Sequence, residues 1–116
     1  MEFEKLRVWQ RSVELSVEIY RVFRGHHDYG FRDQITRSGL SVSSNIAEGY
    51  ERASRPDRMR FLNYAKGSAG ELRSQISIGM RIGYIDPETG KRWRREAEEI
   101  SRMLYSLIRH HGKRSG

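Results

Sequence analysis

The chain has 116 residues, a formal net charge of +7, 36% hydrophobic and 32% charged residues, and no cysteine. That is one domain's worth of chain, over residues 1–116, with a lean core; without thiols, disulfide scaffolds, thiol catalysis and thiolate metal sites are excluded. No apolar run approaches the roughly 20 residues that span a bilayer, and the acidic start Met1-Glu2-Phe3-Glu4-Lys5 lacks a signal-peptide layout, so the cytoplasm is the expected compartment.

Four amphipathic stretches follow one another with short breaks. The first, residues 5–24, carries Leu6, Trp9, Val13, Tyr20 and Phe23 at three/four spacing, with Ser16 in the gap and a second stripe of Val8, Leu15, Ile19 and Val22 beside it. A loop bounded by Gly25 and Gly30 ends it. The second, residues 31–51, sets Ile35, Gly39, Val42, Ile46 and Gly49 on one stripe among small residues. Its helix propensity is modest, and the close helix approach that small side chains permit offsets the cost.

The third stretch, residues 55–83, opens with Ser54 as N-cap, Pro56 in the first turn and Asp57 at N3. Its stripe is Leu62, Ala65, Ala69, Leu72, Ile76 and Gly83, flanked by Phe61, Ser68, Gln75, Ile78 and Ile82. The fourth, residues 87–110, repeats Trp93, Ala97, Ile100, Leu104 and Leu107. Gly90 leaves a turn over 86–90 as an alternative start. Strand signals are nearly absent. The expected fold class is all-α: an antiparallel up-down-up-down four-helix bundle with crossing angles of about +20°.

The positive charge is uneven. Residues 91–116 carry eight basic and three acidic groups, and residues 31–60 carry six and four, while the remainder balances. Such a chain favours anionic partners, nucleic acid among them. The competing reading is a solvated helix face neutralised by the i,i+4 pairs Arg92–Glu96, Arg94–Glu98, Arg95–Glu99 and Glu98–Arg102. The candidate nucleic-acid contacts are Arg52, Arg55, Arg58 and Arg60 around the second turn, and Arg92, Arg94, Arg95, Arg109, Lys113 and Arg114 on the last helix and tail. The second turn and the C-terminus are expected at opposite ends of the bundle, so that only one end serves.

Asn45 and Glu48 are i,i+3, and Arg52 follows one turn later. Glu71 falls near the apolar face, one turn after Gly67 and Ser68. A carboxylate placed there is partly desolvated and needs a partner, from Asn45, Ser68 or an arginine. This group is either a polar site between two helices or a network that fixes helix register, which is the best-attested use of buried polar groups. No Glu-x-x-His occurs, and the adjacent pairs His26-His27 and His110-His111 point roughly 100° apart on a helix, so no metal site is expected. Gly67-Ser68-Ala69-Gly70 sits inside a continuous apolar period and reads as helix packing. No phosphate-loop or nucleophile-elbow motif is present, so no cofactor and no catalytic residue is expected. Trp9 and Trp93 lie on core stripes; Tyr105 falls outside its stripe, at an interface or in solvent. Aromatic rings interleaved with arginine also suit base stacking, without specifying it.

Several blocks resemble one known family. They are Phe3-Glu4-Lys5-Leu6-Arg7-Val8-Trp9-Gln10, Asp28 to Ser38, Asn45-Ile46-Ala47-Glu48-Gly49-Tyr50-Glu51-Arg52, Ala65 to Leu72, and Gly83-Tyr84-Ile85. Together, in this order, they resemble the bacterial four-helix-bundle proteins named for reading frames in the intervening sequences of 23S ribosomal RNA genes. The segment 86–93 and the basic tail depart from that pattern. The resemblance implies a left-handed antiparallel bundle and a homo-oligomer, in the form of a ring-shaped pentamer. A related bundle, the accessory variability determinant of diversity-generating retroelements, is a basic pentamer that binds nucleic acid and a reverse transcriptase. No catalytic residue carries over, so Asn45, Glu48, Ser68 and Glu71 transfer only as signature positions. The expected function is a non-enzymatic RNA-binding bundle; the alternative is a protein-interaction scaffold.

Overall fold

The computed structural model describes residues 2–113. A single 3₁₀ turn, Phe3–Lys5, leads into four α-helices: α1 (Arg7–Phe23), α2 (Tyr29–Glu51), α3 (Arg55–Arg81) and α4 (Pro87–Lys113). Three of them start where the chain supplies a cap. Asp28 Oδ1 accepts from the Phe31 amide at 3.1 Å at the head of α2. Ser54 Oγ accepts from the Asp57 amide at 3.2 Å at the head of α3. Asp86 Oδ2 accepts from the Glu88 and Thr89 amides at 3.1 and 3.3 Å, with Pro87 in the first turn of α4.

α3 ends on Gly83, whose φ of +82° places it in the left-handed region. The Tyr84 amide then reaches back to the Gly79 carbonyl at 2.8 Å, and the Gly83 amide to that of Met80 at 3.3 Å. This pair of bonds satisfies carbonyls the helix end would otherwise leave open. The segment 86–90 is helical rather than a separate turn. A Cβ at Gly90 would meet the flexible Met80 side chain of α3, which would have to shift to admit it.

The helices form a four-helix bundle of 49 × 21 × 21 Å. Ser38 meets Glu71 and Ser41 meets Ser68 between α2 and α3; Met80 lies on Gly90 and Arg73 faces Glu98 between α3 and α4. Arg11 meets Glu96 and Glu18 meets Arg92 between α1 and α4. The Phe23 ring packs at a tilt against Phe31, and Ser16 lies against Gly39, between α1 and α2. In each neighbouring pair residue numbers rise on one helix as they fall on the other.

The core holds Ile35, Val42 and Ile46 of α2, Leu62, Leu72 and Ile76 of α3, and Trp93, Ile100 and Leu104 of α4. Trp93 is fully buried, whereas Trp9 is only partly so, edge-on to Phe3 at 5.3 Å. In α1 the expected stripe positions Val8, Leu15, Ile19 and Phe23 are buried, and the departures are Tyr20 and Val22, 59% and 51% exposed. The buried hydroxyl of Ser12 is tolerated because it donates to the Val8 carbonyl at 2.7 Å. No helix among the described residues is long and apolar enough to cross a membrane.

Candidate nucleic-acid interface

Only Arg52, Ala53 and Ser54 link α2 to α3. The link is short because Gly49 lets the start of α3 come close: a Cβ there would lie 3.2 Å from Phe61 Cβ and 3.3 Å from the Arg58 carbonyl. Arg52, Arg55, Arg58 and Arg60 therefore crowd one end of the bundle.

The C-terminal part of α4 lies at that same end, not the opposite one. The Tyr50 hydroxyl is 3.0 Å from His111 Nε2, and Gly112 faces Met59 of α3. The reason is the count of chain reversals. α3 runs away from the link and α4 returns to it, so Arg109 joins the arginines of the link. Lys113 closes α4, and Arg114 lies outside the described residues.

Arg92, Arg94 and Arg95 are at the other end, in the first turns of α4. The four i,i+4 pairs expected within α4 are not the pairs that form. Glu18, Glu96 and Glu98 instead pair across the seams between helices. Arg92 donates to both oxygens of Glu18 in α1, at 3.1 and 2.8 Å. Arg11 does the same to Glu96, at 2.8 and 2.6 Å. Glu98 faces Arg73 at 3.9 Å, and Arg102 pairs with Glu99 one turn earlier at 2.8 Å. Arg92 is thus committed to holding α1 on α4, while Arg94 and Arg95 are exposed and make no ion pair among the described residues.

The seam between α1 and α4 also holds a cavity of about 630 Å³, with Arg11, Glu14, Glu18, Glu96 and Arg102 in its walls. Its charges are of both signs and bond to one another, so it is a salt-bridged seam rather than a site for an anion. Hydrogen bonding to Arg92 holds the Glu18 carboxyl below the ordinary carboxylate range, helped by the indole N–H of Trp93. The bidentate bond from Arg11 does the same for Glu96.

The signature polar residues separate into three units. Ser38 Oγ donates to Glu71 Oε1 at 2.6 Å. Asn45 Nδ2 donates to the Ser41 carbonyl and hydroxyl at 2.9 and 3.0 Å, and Ser41 bonds Ser68 at 2.8 Å. Glu48 pairs with Arg52 at 3.0 Å. Glu71 is exposed rather than desolvated, and its partner is Ser38, not Asn45, Ser68 or an arginine. The line from Tyr64 to Ile78 on which Glu71 lies is itself at the surface, each of those two being about half exposed.

At the end remote from the arginine-rich link, His26, His27, Phe31 and Tyr84 form an aromatic cluster with centroids 4.4 to 5.6 Å apart. The Tyr84 hydroxyl donates to Asp28 Oδ2 at 2.9 Å and the Asp28 amide to His26 Nδ1 at 3.1 Å. The Phe31 amide and then the Tyr84 hydroxyl lower the Asp28 pKa. These contacts tie the α1–α2 and α3–α4 loops together. Among the described residues no group of three His, Asp or Glu side chains is placed to hold a metal ion.

What sequence reasoning missed is the partnership of the arginines with rings. Arg52 and Arg60 both lie over Phe61, at 4.9 and 5.1 Å from its centroid. Arg58 lies over Tyr50 at 4.7 Å and Arg109 over Tyr105 at 5.8 Å. The signal available in the sequence was the spacing Arg60-Phe61 and Tyr105-x-x-x-Arg109.

The family model described as 23S rRNA-intervening sequence protein matches residues 4–106. A crystal structure of a protein of unknown function from the S23 ribosomal protein family of Bacteroides thetaiotaomicron superposes with a TM-score of 0.81 at 30% identity, covering 87% of this chain and 97% of that one. A search of curated proteins finds no match. The match over residues 4–106 shows the family: the chain belongs to the 23S rRNA-intervening sequence proteins.

Proposed function

We propose that this is a non-enzymatic, cytoplasmic, homo-oligomeric protein that binds nucleic acid, RNA above all, through the arginine-rich end of the bundle. The observation that carries the reading is the meeting of Arg52, Arg55, Arg58 and Arg60 with Arg109 at one end. Guanidinium groups stay charged at any physiological pH and match phosphate oxygens in pairs. The family description, 23S rRNA-intervening sequence protein, supports the same reading. A ring of subunits, a pentamer in the family resemblance, repeats this end and raises weak phosphate contacts by avidity.

Exposed apolar side chains support assembly: Val17 and Tyr20 on α1, Leu40 on α2, Ile78 on α3 and Ile82 just after it. Two unlike patches are what a head-to-tail ring joins. The same side chains favour the second reading, a scaffold whose partner is another protein.

The test is fluorescence anisotropy of nuclease-treated protein against a structured RNA, with duplex DNA as control, across a salt series. Submicromolar binding, a steep salt slope and a preference for RNA are expected. Arg52→Gln with Arg109→Gln should weaken binding and flatten the slope, whereas Arg94→Gln with Arg95→Gln should leave both unchanged. Weak binding, equal for both polymers and gone by about 150 mM salt, would leave the scaffold reading. Light scattering reads the mass of the assembly.

A further inference from the structure

Five arginines among the described residues stand over an aromatic ring, and four of them are at the end just described. Arginine is the cation most often found over an aromatic face, and here four such pairs share one end of the bundle. A ring differs from a carboxylate as a partner. It cancels no charge, and it holds the guanidinium plane on one side while the N–H edges stay available.

An exposed ring stands beside them. Tyr64 stands edge-on to Phe61, with centroids 5.5 Å apart and planes at 88°, and it is 51% exposed. Arg52 and Arg60 converge on the same Phe61. Their carboxylate partners, Glu48 and Asp57, are themselves 48% and 40% exposed, and such surface pairs are weak enough to exchange for phosphate. A half-exposed ring beside two cations whose surface carboxylate partners can be exchanged is the pairing that takes a nucleobase by its face and its phosphates by their oxygens. A duplex hides those faces; an unpaired segment offers them.

From this geometry we infer that the corner built from Arg52, Arg60, Phe61 and Tyr64 binds unpaired nucleotides, as in a single-stranded stretch or loop of RNA. A base stacks on Tyr64, and the flanking phosphates bond to Arg52 and Arg60. The inference rests on the nucleic-acid reading above and narrows it from RNA to its unpaired segments.

The experiment uses the full chain with a 12-nucleotide single-stranded RNA carrying 2-aminopurine and with a duplex RNA of the same length. The expected results are binding of the single strand at least tenfold tighter than the duplex, and quenching of 2-aminopurine on binding. Tyr64→Ser should weaken single-strand binding by roughly tenfold and abolish quenching with the salt slope unchanged, and Tyr64→Phe should restore both. Arg52→Gln and Arg60→Gln should each reduce the slope by about 0.7. Duplex bound as tightly as single strand, without quenching, would overturn the inference and leave nucleic-acid binding standing. Binding to neither RNA would remove both. A change in particle mass for Tyr64→Ser would assign the ring to a subunit contact and overturn the inference. The quenching measured with the unaltered protein decides even where a variant fails to fold.

Discussion

The Tyr50 hydroxyl and His111 Nε2, 3.0 Å apart, join the last turn of α2 to the last turn of α4. Tyr50 is itself buried and lies under the guanidinium of Arg58. This contact closes the arginine-rich end from below, because it holds the returning helix against the link between α2 and α3. Tyr50→Phe should cost about 1 kcal/mol of stability. It should also speed amide hydrogen exchange in the last turns of α4 while leaving α3 protected.

Burial raises the Tyr50 pKa above its ordinary 10.0, against a smaller opposing effect of Arg58. The unfolded chain therefore releases this proton first as pH rises. Below pH 10 the group contributes no pH dependence; above it, stability falls. Urea unfolding between pH 8 and 11 should show that decline, reduced in Tyr50→Phe, and an identical decline in both proteins would contradict the assignment.

Gly90 and Met80 compete for one volume. Gly90→Ala should destabilise by about 1–3 kcal/mol because Met80 must move out of its position against α4. Combining it with Met80→Ala should recover part of the loss, so that the two changes are not additive in thermal unfolding. Additive losses would mean that they do not share the space.

The seam between α1 and α4 should open first in acid. The Glu18 and Glu96 carboxyls are held below their unfolded value of 4.5, so their contribution is present above that pH and lost as pH falls through the depressed folded values. Each is partly exposed, and each contributes under about 1 kcal/mol. Unfolding followed from pH 7 to 3 should show α1 amides losing protection before those of α2 and α3. Glu96→Gln should flatten the dependence, and high salt should mimic it at neutral pH.

Ser38 and Glu71 test whether the signature positions are structural. Glu71→Gln keeps an acceptor for the Ser38 hydroxyl and should alter stability by less than about 0.5 kcal/mol, with assembly unchanged by light scattering. Ser38→Ala should cost about 1 kcal/mol at most, because the exposed Glu71 carboxylate returns to water. A loss well beyond that in Glu71→Gln would show that the carboxylate is needed elsewhere.

The stripes of α2 and α4 were readable because their small and apolar residues follow one unbroken period. Ile35, Gly39, Val42, Ile46 and Gly49 are all buried, as are Trp93, Ala97, Ile100 and Leu104. α1 was less readable because it has apolar residues on two adjacent stripes, and periodicity does not say which one the other helices cover. Glu71 was set on the correct line of α3, but the line is at the surface. The arginines were visible as residue types, and their meeting place was not. It depends on how many times the chain turns back, to which sequence spacing is blind.

The three-residue link between α2 and α3 has a thermodynamic consequence. Side chains on a long loop give up much rotamer freedom when they engage a ligand, at about 0.5–1.5 kcal/mol each. Arg52, Arg58 and Arg60 stand on or beside helices and already rest on rings. Little disorder remains for a ligand to remove. Calorimetry of any anion that docks at this end should show a small conformational entropy penalty, with polymer binding favoured by the entropy of released counterions.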